Sequence, residues 1–508
     1  MIRDEFKRIA PEEAGIRSAA VEQYLNELES GFTEMHGLMI MRHGCICAEG
    51  WWQPYGPGLR HGDQSLTKTY AATGIGIAYT EGLLKLEDTI LSIFPEYAPE
   101  DPSENLKMLT VRDVLCMGCG MDTMPAPTVN WIRDFLAIPV SHVPGTTYMY
   151  NSTGSTLLAA IVKKVTGEGL HEYLTPRLFD KIGIDADNLK WMHMPDGTEV
   201  GGGGLYSTTE DNLRLMKLYA DGGVWNGERI LAEDYVRKAT SLQNESATEA
   251  KGNPEATDNF VGYGFQIWMC KVPGVYRADG AMGQFSIVVP DKDMIISINE
   301  TAAGAHWAQK TLDVTWEFLK QISDDAALPE DRAAAAHLSD RMRHLSIAAP
   351  VFHPSAGISD EISGSTYQIM SGNLQISDQI AAMMSGAPVS KGIRKLSFQF
   401  TSSECRISFL MDEKEYQVTA AMDGTRRYNQ LKLDHSVLSE LYLNAFWKED
   451  HTLALVIRWI ETCFEKELDF ELAADCMKMD IYDEPKIGGF GIASMARKKA
   501  AEAVLKEN

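Results

Sequence analysis

Positive charge is what this chain most lacks. Its 508 residues carry 47 Lys and Arg against 71 Asp and Glu, for a formal net charge of −24. A surface this acidic repels nucleic acid and anionic lipid at long range, so neither is expected as a partner. Solubility is the ordinary reading of such a charge. Long apolar runs are missing too, and none approaches the length of a membrane span. The opening Met1–Lys7 shows no apolar leader segment or cleavage site. Cysteine is sparse, with 8 residues thinly spread; reduced thiols and a cytoplasmic location are the expectation. Cys116-Met117-Gly118-Cys119 has C-x-x-C spacing. No second pair or histidine cluster completes a zinc site, so the segment reads as structural and no metal or cofactor is expected.

What is present is an ordinary globular composition, 44% hydrophobic and 23% charged, in a chain long enough for two or three domains. A short helix (Ala19–Glu29) precedes a strand–turn–strand pattern, Leu38–Met41, His43-Gly44, Cys45–Ala48. A second hairpin lies far downstream, with Gln284–Val289 and Met294–Ile298 joined by Pro290–Asp293. Helical periodicity dominates between them, over the segment after Ser65, Val111–Met117, Thr153–Val165 and Thr208–Ala220, and returns in Trp307–Ile322. The layout predicts an α/β domain over 1–322, an antiparallel sheet flanked by helices and carrying an all-α subdomain. Residues 323–349 read as a linker, partly helical. Short β-rich runs across 350–508 (Lys395–Phe400, Arg406–Leu410, Tyr416–Thr419, Leu453–Trp459, Met477–Tyr482) suggest a barrel or sandwich. The tail, Ser494–Asn508, reads as a charged helix or frayed end.

Chemistry concentrates in three places. Ser65-Leu66-Thr67-Lys68 opens a long segment of small and apolar residues. A serine and a lysine three apart share a helix face. A desolvated lysine there holds a free amine that can take the serine proton. The bland reading is a helix cap with a solvated lysine. Tyr150 lies in the loop Pro144–Ser152, which runs into a helix; beside a lysine it would shuttle protons, and elsewhere it would be a core residue. Ala278–Gln284 leads into the second hairpin, where glycines on a strand edge expose N–H donors for an oxyanion. Gly201–Gly204 has no strand-plus-lysine context for a phosphate loop and reads as a tight turn lining a cleft. Trp51, Trp52 and Tyr55 are either pocket wall or core. His43 and His61 are read as structural or surface residues.

In this order the three segments resemble those of the serine β-lactamase and penicillin-binding-protein-like hydrolases, especially the class C branch with its esterases and D-amino-acid peptidases. The resemblance spans about Ile9–Ile322 and is supported by Glu81–Asp88, Thr110–Leu115 and Gly201–Thr208. It implies Ser65 as nucleophile, Lys68 as its base, Tyr150 as proton relay, and the N–H groups of Ser65 and Ala281 as oxyanion donors. Gly280, Ser152 and Asp279 would line the substrate site. Two residues depart from the family pattern: Ser152 replaces the usual asparagine, and Ala278 replaces the usual lysine or histidine. The lost cation argues against substrates that carry a carboxylate, while Asp279 would attract a substrate amine. The implied protein is a metal-free serine hydrolase acting through a Ser65 acyl-enzyme on a small ester or amide, peptides with D-residues included. The alternatives are a weak β-lactamase or penicillin-binding protein, and a non-catalytic binding or sensor protein using the same cleft. Homo-oligomerisation stays open. So does the part played by the C-terminal domain, whether access control or dimerisation.

Overall fold

The computed structural model describes residues 5–246, 254–302, 305–353, 357–372, 374, 376, 390–434, 436–463, 465–472, 476–484 and 498–505. The chain divides into two compact units between Ser346 and Ile347.

The first unit is built on a six-stranded antiparallel sheet of β1 (Thr33–Arg42), β2 (Cys45–Trp51), β3 (Trp268–Met269), β4 (Tyr276–Gly280), β5 (Gln284–Val289) and β6 (Met294–Ala302), in the order β2-β1-β6-β5-β4-β3. Both expected hairpins form. His43 and Gly44 turn β1 into β2 with φ of 51° and 71°, a turn whose twist matches that of the strands it joins. The hairpins, more than two hundred residues apart in sequence, join where β1 pairs with β6, Leu38 opposite Ile298 and Ile40 opposite Ile296. This closure makes one sheet of two distant hairpins and leaves the intervening helices to cover it. That is the β-lactamase-like arrangement.

Helix α1 (Ser18–Leu28) buries Val21, Tyr24, Leu25 and Leu28, the three-and-four spacing of one helical face. Helix α2 (Thr67–Thr80) is buried along its whole course from Thr67 to Ala78. Small residues make that possible. A Cβ on Gly74 would come within 2.6 Å of Leu170, and one on Gly76 within 2.5 Å of Tyr235. Helix α3 (Ser152–Thr166) crosses α2 and starts at Asn151, whose side chain accepts the Gly154 N–H at 2.8 Å. Helix α4 (Thr209–Ala220) begins with a reciprocal Thr208–Asp211 capping box and packs on β5 and β6. Helix α5 (Ala305–Leu319) meets α1, with Tyr24 stacked on Phe318 at 4.5 Å. Within 323–349 the chain forms α6 (Arg332–Arg343), which packs on α1 and β2, burying Leu338 and Met342 and pairing Arg341 with Glu29 at 2.6 Å. No helix of the described residues is long and apolar enough to cross a membrane.

The second unit is a single curled ten-stranded sheet, a half-barrel. Its strands run in the order Lys414–Ala421, Glu404–Met411, Ile393–Phe400, Thr366–Gly372, Lys498–Leu505, Cys476–Glu484, Glu465–Leu472, Thr452–Trp459, Glu440–Glu449, Arg427–Gln430. Alternation sets the inner face: in Glu404–Met411, residues Cys405, Ile407, Phe409 and Met411 are buried and their neighbours are not. All five runs read as strands from sequence are strands. The tail is a correction. Lys498–Leu505 is not a helix; it is a strand paired on both sides, with Thr366–Gly372 and Cys476–Glu484. Two open strand edges decide over the helix preference of an Ala/Lys/Glu sequence. Residues 494–497 and 506–508 lie outside the described residues.

Candidate active site

The turn Gln64–Leu66 runs directly into α2. Gln64 adopts φ of 51°, a sparsely populated conformation for a residue with a side chain. This leaves Ser65 partly exposed while Leu66, Thr67 and Lys68 are buried. Side chains on a helix lean toward its N-terminus, so Lys68 reaches back and its Nζ lies 2.9 Å from Ser65 Oγ. Lys68 is 1% exposed. Burial pulls its ammonium down from the ordinary 10.5 to about 7, against the opposing charge of Asp279. Nζ also donates a short hydrogen bond to the Gly202 carbonyl.

The Tyr150 ring lies over the lysine. Lys68 Nζ lies 4.8 Å from the centre of the Tyr150 ring, and that ring stacks on Trp268 at 5.8 Å and 20°. Ser152 sits nearby as the first residue of α3, and the cap is its neighbour Asn151. The hydrogen bonds of Lys68 go to Ser65 and Gly202, not to Ser152. Gly202 reaches the lysine because it lacks a side chain: a Cβ there would lie 2.5 Å from the Ser152 carbonyl oxygen. The glycine run is therefore a close-packed backbone segment presenting an acceptor, a role its sequence alone did not disclose.

The third segment closes on the same turn. A Cβ on Gly280 would lie 2.1 Å from the Asp63 carbonyl oxygen, so only glycine lets β4 come this near the residues before Ser65. Ala281, Met282 and Gly283 then turn into β5, with φ of 63° and 91° at the last two. Gln284 Nε2 braces the turn by donating to the carbonyls of Met282 at 3.3 Å and Glu300 at 2.7 Å. Ala278 is wholly buried, on the strand face opposite Asp279. Asp279 is 19% exposed and accepts from Arg277 Nε at 2.7 Å. Burial raises its carboxyl above the ordinary value, opposed by Arg277 and, more weakly, by Lys68. It reaches the site already paired with Arg277.

Sequence reasoning missed Trp268, Arg277 and the buried Asp63, and read Gly201–Gly204 as a turn lining the cleft without its acceptor. The Asp63 carboxylate accepts from Ser207 Oγ at 2.8 and 2.9 Å and from Asn212 Nδ2 at 2.7 Å. Burial pushes it up to about 8, against those hydrogen bonds. Period-two alternation from Asp279 back to Arg277 was the one available signal. The tryptophan alternatives resolve toward packing: Trp52 and Tyr55 are buried, and Trp51 donates to Thr209 Oγ1 at 3.2 Å. His61 is buried and bonded to His36 at 2.9 Å, whereas His43 pairs with Asp293 near the surface. Cys116 and Cys119 are free and buried. Among the described residues, no group of His, Cys, Asp and Glu is arranged to hold a metal ion.

A fold of this kind, with a hydroxyl, a desolvated amine and a phenol ring gathered at a helix start, defines a serine-hydrolase class of protein. The family described as Beta-lactamase matches residues 25–311, more than half of the chain, which belongs to that family. A 6-aminohexanoate-dimer hydrolase of Paenarthrobacter ureafaciens is 24% identical over 312 residues, 56% of this chain and 78% of that protein. An Escherichia coli protein named "Putative D-alanyl-D-alanine carboxypeptidase" is 22% identical over 298 residues, 46% of this chain and 66% of its own length. The solved structure titled "Putative 6-aminohexanoate-dimer hydrolase from Bacillus anthracis" shares the fold, with a TM-score of 0.50 and 18% identity over 66% of this chain and 89% of that one. The chain is thus a hydrolase of a family that contains amide and ester hydrolases and peptidases.

Proposed function

We propose that this protein hydrolyses a small ester or amide through an acyl-enzyme on Ser65. Ser65 Oγ attacks the substrate carbonyl carbon as its proton passes to Lys68 Nζ. Tyr150 carries a proton to the departing alcohol or amine, and later takes one from the water that releases the acid. The N–H groups of Ser65 and Ala281 receive the developing oxyanion, an interaction commonly worth roughly 3–4 kcal/mol per donor. Gly280 supplies the close approach that brings Ala281 to the site. Asp279 and Ser152 lie on its walls.

The observation that carries this reading is the buried Lys68 amine, 2.9 Å from Ser65 Oγ and pulled down to about 7. At that value a large share of the amine is free at neutral pH. The names of the two relatives support an amide bond as target. Ala278 offers no cation for a substrate carboxylate, which favours esters and amides over β-lactams. Intact-mass measurement after incubation with a panel of esters, D-peptide amides and β-lactams tests the proposal. The expected result is an acyl adduct on the wild type with esters or amides and none on Ser65→Ala. No adduct with any compound, or equal adducts on both proteins, would favour a binding protein that uses the same cleft.

A further inference from the structure

Arg277 and Asp279 alternate onto one face of β4, and the arginine is wholly buried. Its Nη2 donates to Asn259 Oδ1 at 2.6 Å, and Nη1 reaches the Met269 carbonyl at 3.3 Å and Cys270 Sγ at 3.4 Å. The guanidinium lies 5.6 Å from the centre of the Trp268 ring, and Trp268 is the residue on which Tyr150 stacks. A buried ion pair is a poor stabiliser, since well-packed apolar residues of similar volume often do as well or better. The pair therefore calls for a reason other than stability. Two arms lead from it to one amine: Arg277 to Trp268 to Tyr150 to Lys68 by ring contacts, and Arg277 to Asp279 to Lys68 by charge.

We propose that the Arg277–Asp279 pair is a positioning element of the site, holding the Tyr150 ring through Trp268 and setting the charge opposite Lys68 through the Asp279 carboxylate. This rests on the reading of Ser65, Lys68 and Tyr150 given above. The groups facing Lys68 are the Ser65 hydroxyl from the start of α2, the Tyr150 ring from the loop before α3, the Gly202 carbonyl, and Asp279 from β4. Asp258, held by Gln309, Trp316 and Lys271, acts on Arg277 and Asp279.

The two members of the pair act on Lys68 through the one carboxylate charge. Asp279 favours the ammonium, so its removal frees the amine at lower pH. Arg277 keeps the Asp279 carboxylate ionised against burial, so its removal neutralises Asp279 and likewise frees the amine at lower pH. The test is the acid limb of kcat/KM against pH for the full chain with a neutral p-nitrophenyl ester, with melting temperatures as a check of folding. Asp279→Asn, nearly isosteric and still able to accept from Arg277, moves the limb down by about half a unit or more, a gain of about threefold in rate on the acid side. Arg277→Gln moves it in the same direction, by a similar amount or less. Trp268→Leu lowers kcat and leaves KM and the limb in place, because it loosens Tyr150 without changing charge. A limb that stays put in folded Asp279→Asn, or that moves up in folded Arg277→Gln, overturns the proposal. Should Arg277→Gln fail to fold, Asp279→Asn decides alone. An acyl-enzyme that persists in Ser65→Ala would instead overturn the underlying catalytic reading, so the two failures are distinguishable.

Discussion

Replacing Lys68 with methionine separates catalysis from stability, because the amine opposes folding over most of the pH range. Its ordinary value of 10.5 falls to about 7 in the folded chain. A shift of that size corresponds to about 5 kcal/mol, and at 1% exposure solvent screening takes little from it. The sign follows from proton binding. Between pH 7 and 10.5 the unfolded chain holds a proton that the folded chain has released, so raising the pH favours folding. The cost is complete below pH 7 and absent above 10.5. Lys68→Met lacks the cost but leaves the Gly202 carbonyl without its donor, a loss of roughly 1–3 kcal/mol. The variant should be more stable than wild type by about 2–4 kcal/mol below pH 7, and less stable by about 1–3 kcal/mol above the ordinary lysine value. Denaturation midpoints of the first unit, followed across this range, should cross. Acylation of an ester should fall by about two to four orders of magnitude in the same variant. A stability difference that does not change with pH would refute the claim that Lys68 folds as a largely free amine.

Other predictions follow from close approaches and buried groups. Gly280→Ala places a methyl 2.1 Å from the Asp63 carbonyl oxygen, so β4 must retreat; kcat/KM should fall by more than about tenfold, and an unaffected rate would mean Ala281 is no oxyanion donor. Gly76→Ala drives a methyl into Tyr235 and should lower stability by about 1–3 kcal/mol, read from denaturant midpoints. Asp63, held at about 8 by burial, is largely uncharged at neutral pH, whereas the unfolded chain ionises near its ordinary 3.8. Its cost therefore grows as pH rises from 3.8 to 8, so Asp63→Asn should gain stability relative to wild type over that window, and a loss there would show an ionised carboxylate. Burial pushes the Cys116 thiol up to about 12 and raises Cys119 as well. Neither should react with a thiol reagent until the first unit unfolds, and rapid native-state labelling would contradict that.

The parts of this fold that were legible in sequence are those set by local pattern. Both hairpins of the first sheet, with the turns His43-Gly44 and Pro290–Asp293, follow from alternation and turn chemistry. The fully buried α2 follows from a run of small and apolar residues with no polar face. What could not be read there is set by partners distant in sequence. Lys498–Leu505 has a helical composition and became a strand because two edges flank it. Arg277 is an unremarked basic residue until β4 places it beside Asp279 and over Trp268, and Trp268 lies far from Tyr150 along the chain.

The departure at Ser152 shows how such a site tolerates a changed motif. In the resembling family an asparagine side chain occupies that position, and its replacement by serine removes hydrogen-bonding capacity beside the lysine. Here Lys68 Nζ is served by a backbone carbonyl from Gly202, and that contact exists because the glycine Cα can lie against the first turn of α3. A main-chain acceptor costs no side-chain entropy to hold in place, and no substitution that preserves the backbone removes it. Loss of the amide therefore does not imply loss of the amine's orientation. Gly202→Ala makes the same point as an experiment. Its methyl would strike the Ser152 carbonyl at 2.5 Å, displacing the acceptor while leaving every catalytic side chain intact. If the carbonyl orients Lys68, acylation should slow by about tenfold or more with Ser65 still slowly labelled. A Ser152→Asn change in the Gly202→Ala background should then recover part of that rate. Full activity in Gly202→Ala would show that the lysine is held by Ser65 and packing alone.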